Sequence, residues 1–389
     1  MSTRPPPPVP DTDGSLLGDL SATAFMRRIW HRHAHLVRQA IAGFQGFLDR
    51  ESMFRLAQRD DVESRIVLRT SDGWELRHGP FGARELSRLP RRDWTLLVQG
   101  VDLHDVRGAD LLRRFRFLPR ARLDDLMVSY AAPGGGVGPH FDSYDVFLLQ
   151  GPGSRRWQVG AQRTLELVEG LPVKILRDFR PTAEWVLEPG DMLYLPPRYA
   201  HDGVAVDECL TYSIGFRAPG HGELASRFFE DLADGIELSG RYEDAGATAT
   251  RTPGRLPPRL VDAADEVIRS VRWQRRDVEE FLGRHLSEPK PNVFFDPPAR
   301  TPSLEALARA LETRTLALHR KSQLLYANHA VFMNGEVYRF PRGVPDVLRR
   351  LADEGEIGQT TVPPAVAETL HEWFADGFLI WRRRSATRV

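Results

Sequence analysis

Two residues apart at the head of an apolar run, His140 and Asp142 in GPHFDSYDVFLLQ offer an imidazole and a carboxylate to whatever lies in front of them. In an extended chain, side chains two apart share a face, so His140, Asp142 and Tyr144 turn the same way as Val146 and Leu148. A metal would need a third ligand from elsewhere. The best placed is His201 in EPGDMLYLPPRYAHDGVAV, where a proline-rich turn follows an apolar strand and delivers a histidine. Two imidazoles and one carboxylate form the facial set that holds Fe(II) and leaves three coordination positions open. In that reading 2-oxoglutarate takes two of them through its C1 carboxylate and keto oxygen, and dioxygen the third. The far carboxylate of such a cosubstrate asks for a cation with parallel donors, which arginine supplies. In RRWQVG, Arg155 shares a face with Trp157 while Arg156 points away, so Arg155 is expected inside. Tyr144, on the metal face, is placed to contact substrate.

The bland reading of His140 and Asp142 alone is a buried histidine bonded to a carboxylate; the shared face, the glycine-rich approach, Arg155 and His201 together favour metal. Other candidates carry less. His31, His33 and His35 alternate in WHRHAHLV, but the flanking periodicity reads as the solvated end of a helix with no carboxylate nearby. PGGGVGP has no following Lys-Ser or Lys-Thr and is read as a turn that lets backbone approach the metal rather than a phosphate cradle. Cys209, the single cysteine, is read as a packed strand thiol.

The elements that must position these residues begin near Trp94. Short β-rich runs (WTLLVQGV, DDLMVSYA, YDVFLLQG, RRWQVG, DMLYLP, LTYSIGF) separated by glycine and proline clusters predict a barrel or jelly roll. Before them, residues 22–45 carry apolar residues at helical spacing, and mixed helix and strand continues to about residue 92. After PGHGE, residues 222–235 and 258–286 predict helices with charged edges. SEPKPNVFFDPPARTP reads as an interdomain linker. In LLYANHAVFMNGEVYRF two strands flank Asn334 and Gly335, a type I′ hairpin signal; with helices over 344–354 and 364–376 and a final GFLIW strand, this predicts a winged helix.

The bulk numbers bound the function. Among 389 residues, 53 basic and 53 acidic side chains balance, which argues against a whole-molecule field for nucleic acid or anionic membrane. From Asn334 to Arg384 seven arginines face eight acids, so the winged helix is not expected to bind nucleic acid directly. One cysteine excludes an internal disulfide and favours a reducing, cytoplasmic location; no signal peptide or membrane span is expected.

On DDLMVSYAAPGGGVGPHFDSYDVFLLQGPGSRRWQVG, EPGDMLYLPPRYAHDGVA and TYSIGFRAP, together with DVESRIVLRTSDGWELRHGPF and WTLLVQGVDLH, the chain resembles the JmjC-type ribosomal oxygenases. The likeness, strongest to the bacterial cupin-like members that hydroxylate an arginine of large-subunit protein L-sixteen, spans roughly residues 20–385. It implies a mainly β double-stranded β-helix (cupin jelly-roll) catalytic domain with an N-terminal α/β elaboration, a helical dimerisation region and a C-terminal winged helix. The corresponding divisions are a disordered tail over 1–20, catalytic domain 21–220, helical region and linker 221–300, and winged helix 301–389. By the same resemblance His140, Asp142 and His201 are iron ligands, Arg155 and Ser129 bind 2-oxoglutarate, and Ser213 is a further candidate beside a packed-serine reading. The implied activity is Fe(II)- and 2-oxoglutarate-dependent hydroxylation of a basic loop of a ribosomal protein, by a homodimer. Histidyl hydroxylation, N-methyl-lysine demethylation, or DNA binding by a cupin regulator are the alternatives. Two features depart from the family: Ala34 replaces a proline in the N-terminal helix, and residues 240–254 form a polar insertion.

Overall fold

The computed structural model describes residues 16–71 and 73–382. Its N-terminal part contains eleven strands: β1 His35–Val37, β2 Ser64–Thr70, β3 Gly73–His78, β4 Trp94–Val98, β5 Leu123–Ala131, β6 Asp145–Gln150, β7 Arg155–Gly160, β8 Ala183–Leu187, β9 Met192–Leu195, β10 Ala200–Ala205 and β11 Cys209–Phe216. They form an antiparallel sheet of eight strands in the order β1-β9-β6-β11-β5-β4-β2-β3 and a facing one of three, β10-β7-β8. This is the expected double-stranded β-helix.

Period-two alternation sorts the large sheet into two chemistries. Leu126, Val128 and Tyr130 of β5, Phe147 and Leu149 of β6, and Tyr212, Ile214 and Phe216 of β11 join the main core, packed against the N-terminal helices. The intervening residues face the small sheet. Of these, Val146, Leu148, Leu193 and Leu195 meet Trp157, Val159 and Leu187 in a second apolar cluster, while Asp125, Met127, Ser129, Thr211 and Ser213 line a cavity. A one-residue slip of β5 or β11 would exchange the two sets.

The N-terminal expectation needs correction. Helix Ala22–Arg28, capped by the Ser21 hydroxyl, ends well before residue 45, and His35 lies in β1. His31 has a φ of 60°, which stops a helix, because the chain turns there to stack Trp30 on Tyr194. Nor is His31 without a carboxylate: its Nε2 lies 2.8 Å from Asp145 Oδ2. Of the tail expected over 1–20, residues 1–15 lie outside the described residues, and Leu16 and Leu17 are buried in the main core rather than loose.

Helix His221–Asp234 matches expectation, but the stretch 258–286 divides into Pro258–Ser270 and Arg275–Ser287. The second of these packs on the wing: Glu280 binds Arg339 and His329, and Gly283 lies so close to Phe332 that a Cβ would meet its ring at 2.3 Å. The proline-rich linker carries no regular element over 288–302, yet it is anchored, with Lys290 on Asp124 and Asp125 at 3.2 and 3.3 Å.

The C-terminal domain has strands β12 Thr315–Leu318, β13 Leu324–Tyr326, β14 Ala330–Met333, β15 Glu336–Arg339, β16 Glu356–Gly358 and β17 Leu379–Trp381. β13-β14-β15 form the wing and β16-β12-β17 a second sheet. Asn334 and Gly335 both have positive φ, 52° and 93°, as the type I′ turn requires. Helices Asp346–Glu354 and Pro364–Ala375 fall where expected; helix Leu304–Leu311, β12 and β16 were not foreseen. Arg383 and Arg384 lie outside the described residues. Among the described residues no helix is long and apolar enough to cross a membrane.

Candidate metal centre and cosubstrate pocket

Between the two sheets lies a cavity of about 440 Å³ whose walls include His140, Asp142 and His201. One potential ligand atom from each of these three lies within 4.8 Å of the others. The His140 and His201 rings are 4.2 Å apart, and His201 Nε2 is 3.6 Å from Asp142 Oδ2. The convergence arises differently from the expected continuous strand. β6 starts only at Asp145, and His140 is held by an isolated bridge: His140 N–H donates to His201 O at 2.9 Å and His201 N–H to His140 O at 2.8 Å. The preceding glycine run is packed against backbone, since a Cβ on Gly135 would sit 2.1 Å from the Trp94 carbonyl oxygen.

Each imidazole is oriented through its other nitrogen. His140 Nδ1 lies 2.8 Å from the Gly138 carbonyl and His201 Nδ1 2.8 Å from that of Tyr199. A carbonyl can only accept, so each Nδ1 carries the proton and each Nε2 presents a lone pair, as in histidines that bind metals. Burial, reinforced by neighbouring His140, pushes His201 down to about 4. It is therefore neutral at physiological pH, the form that ligates. Two Nε2 lone pairs and a carboxylate aimed at one point, with open cavity in front, suit a divalent metal of the iron type.

Deeper in the pocket Arg155 is almost fully buried. Its Nη1 donates to Ser129 Oγ at 3.1 Å and to Thr211 Oγ1 at 3.3 Å, and its Nη2 to Gly203 O at 3.1 Å. The guanidinium lies over the Trp157 ring at 5.1 Å. All these partners are neutral, and Nε has no partner among the described residues. Burial accordingly pulls the Arg155 pKa down, with only Cys209 and Asp202 opposing. A buried cation without an ion pair is costly unless an anion joins it. The cavity also has three further buried polar atoms without partners, Thr95 Oγ1, Gln99 Oε1 and Trp157 Nε1, so it suits a polar, acidic guest.

The other anticipated site residues, Tyr144 and Ser213, also reach this cavity. Tyr144 lines it, its hydroxyl pKa raised by burial and by Asp142; Ser213 lies on the wall; and Arg156 points out, toward Glu184 at 3.8 Å. Thr211 was missed, although it sits opposite Ser129 in the β11–β5 register and two residues from Ser213 on the same face. His33 and His35 take no part in the metal-competent cluster.

Residues 110–224 match the JmjC domain family and residues 270–380 the ROXA-like winged helix family. The Escherichia coli protein named ribosomal protein uL16 3-hydroxylase is 33% identical over 320 residues, covering 80% of this chain and 84% of its own. The chain belongs to the JmjC-type ribosomal oxygenases. Its whole architecture agrees with that family: the X-ray structure of E. coli ycfD superposes with a TM-score of 0.81 at 30% identity, over 93% of this chain and 98% of that one. A structure of the same E. coli ribosomal oxygenase in complex with cobalt and 2-oxoglutarate superposes with a TM-score of 0.79 at 30% identity, covering 94% of this chain and 99% of that one. In this ribosomal oxygenase the metal-competent cluster and the lone buried guanidinium therefore occur in a fold whose E. coli representative has been seen with both a metal and a 2-oxo acid.

Proposed function

We propose that this chain is an Fe(II)- and 2-oxoglutarate-dependent protein hydroxylase whose substrate is a basic loop of a ribosomal protein, and that it hydroxylates C3 of an arginine in large-subunit protein L-sixteen. The observation that carries the reading is a cavity with two oriented imidazoles and a carboxylate at one place and an ion-pair-free arginine at another. When bound, ferrous iron and 2-oxoglutarate supply the oxidation, coupling loss of carbon dioxide from the cosubstrate to insertion of one oxygen atom from O2 into a C–H bond.

In this proposal His140, Asp142 and His201 hold the iron and are the catalytic residues. Arg155 takes the far carboxylate of 2-oxoglutarate, supported by Ser129 and Thr211. The spacing is favourable: Arg155 bonds Gly203, and two residues of extended chain from His201 to Gly203 cover roughly 6–7 Å, the scale of a five-carbon diacid. Tyr144 forms part of the substrate wall. Asp125, nearly buried on the same wall, has its pKa raised by burial while Lys290 opposes; a guanidinium is the natural complement of such a carboxylate. The decisive measurement is mass spectrometry of the L-sixteen loop peptide and of whole ribosomes incubated with enzyme, Fe(II) and 2-oxoglutarate. A gain of one oxygen on arginine is expected; no iron-dependent gain on either substrate would refute the assignment.

The division into residues 21–220, 221–300 and 301–389 belongs to the same proposal, as does homodimer formation. Helix Pro258–Ser270 buries none of its residues in the monomer, and Val261, Val267, Ile268, Phe229 and Trp273 are exposed nearby in sequence or structure. Exposed apolar side chains of this kind fit a second copy. Light scattering on the full chain should give twice the monomer mass, reduced by Ile268→Glu. A ribosomal substrate and a single free cysteine fit a cytoplasmic location.

A further inference from the structure

A second cavity, of about 240 Å³, lies where the catalytic and winged-helix domains meet, and it shares no lining residue with the first. Its lining has four arginines, Arg113, Arg116, Arg120 and Arg320, against two acids, Asp102 and Asp353. Three of the arginines are occupied. Arg113 binds Asp110, Arg116 donates to the Glu354 carbonyl, and Arg320 Nε donates to Leu103 O at 2.5 Å. The Arg116 and Arg320 contacts tie the domains together, the Arg113 pair is local to its own helix, and none needs a ligand to explain it.

Arg120 is different. Among the described residues no hydrogen bond or ion pair is formed by its guanidinium, although Arg116 converges on the same spot: a Cβ on Gly355 would have Arg116 Nη2 at 3.6 Å and Arg120 Nη2 at 3.8 Å. Burial and the neighbouring Arg116 and Arg113 charges pull Arg120 down to about 10. The acids nearby are already engaged. Asp353 accepts from Tyr326 at 3.1 Å, Glu354 lies 3.7 Å from Arg350, and Glu356 pairs with Arg382. Asp102 accepts the Leu126 N–H at 2.9 Å, and burial with Asp125 raises it to about 7, which weakens its power to neutralise the arginines.

We infer that this interdomain cavity binds a phosphate-class oxyanion, gripped by the free fork of Arg120 within the field of Arg113, Arg116 and Arg320. Two guanidinium groups at one spot, with two more on the same cavity wall, offer more donors than a single planar carboxylate can accept and suit a phosphate with its three or four oxygens. The volume admits a free phosphate or diphosphate, and equally a phosphate carried on a nucleic-acid chain. The bound anion would brace the winged helix against the catalytic domain without entering the metal pocket.

The test uses the full chain at constant ionic strength, with melting temperature and calorimetric titration read against inorganic phosphate, pyrophosphate and a short RNA. Saturable binding is expected, weakened at least about tenfold in Arg120→Met, which keeps the apolar stem but removes the charge. Without anion, Arg120→Met should melt at or above the wild-type temperature, since it removes an unpaired charge from beside Arg116 and Arg113; a strut would instead lose stability. Should Arg120→Met fail to fold, Arg320→Gln serves as the second variant, with the same weakening expected. Binding of the small anions identifies a free ion as the source, and binding of RNA alone identifies a chain phosphate. No saturable binding of any probe, or binding undiminished in the folded variant, overturns the inference. None of these readouts depends on hydroxylase activity.

Discussion

Asp142 and Asp145 stand three residues apart, and each has a histidine beside it, yet their surroundings are opposite. Asp142 is partly exposed to the cavity, 3.6 Å from His201 Nε2, and faces open space. Asp145 has no exposure at all: His31 Nε2 lies 2.8 Å away, Arg122 donates at 2.9 Å and the Tyr194 hydroxyl at 2.6 Å. Burial raises the Asp145 pKa, and Tyr194, His31 and Arg122 pull against it. One carboxylate is left with lone pairs to give; the other has spent them on holding the N-terminal segment to β6 and β9. Residue type and local spacing do not distinguish the two. What distinguishes them is whether cationic and hydroxyl donors from the rest of the fold arrive first.

That contrast can be broken experimentally. Replacing Asp142 or His140 with Ala should leave the melting temperature within a few degrees of wild type and reduce turnover by more than about a hundredfold, because even groups that merely support a ligand cost roughly ten- to a hundredfold in metal affinity. Asp145→Ala should do the reverse. Stranding Arg122 and the buried Tyr194 hydroxyl is expected to cost about 2–4 kcal/mol in denaturant unfolding while folded enzyme keeps near-normal kcat. If Asp145→Ala abolished turnover without loss of stability, the assignment of the two carboxylates would be wrong. Arg155→Met sharpens the picture within the pocket: KM for 2-oxoglutarate should rise roughly tenfold or more, with iron affinity unchanged, as expected for a lost charge-assisted pair.

A third acid–histidine contact lies near the surface and should matter least. Glu280, 3.1 Å from His329, is brought down to about 2 mainly by Arg339, against its burial and with help from Arg276 and His329. A lowered carboxylate pKa stabilises the fold above the usual range near 4.5 and loses that contribution as pH falls toward 2. Since Arg339 and Arg276 are more than half exposed, solvent screening limits the effect to about 1 kcal/mol. The gap in unfolding midpoint between wild type and Glu280→Gln should therefore be visible at pH 7, shrink below about pH 4.5 and close only near pH 2.

Much of the candidate site was legible because it rests on short-range parity. Arg155 and Trp157 turn inward while Arg156 turns out, as alternation demands. His140 and Asp142 were grouped through parity as well, but their orientation comes from the bridge to His201 and not from a continuous strand. Thr211 was invisible because its value depends on register against Ser129, a property of two strands far apart in sequence. The same holds for His31, whose partner Asp145 is supplied by tertiary structure. Helix 258–286 was read as one because nothing in VRWQ is a glycine or proline; the break at 271–274 instead lets Trp273 pack on Phe228 and Phe229. The prolines mark the linker, while its fixed address comes from Lys290, whose partners Asp124 and Asp125 lie far away in sequence.

The mutual backbone bonds between His140 and His201 have a further meaning. Because each residue's amide already grips the other's carbonyl, the distance between the two imidazoles is set by the main chain before any ion arrives. Loss of the metal should thus be a local exchange event, with circular dichroism and proteolysis patterns of chelated enzyme close to those of the loaded form, and reloading should require no refolding step.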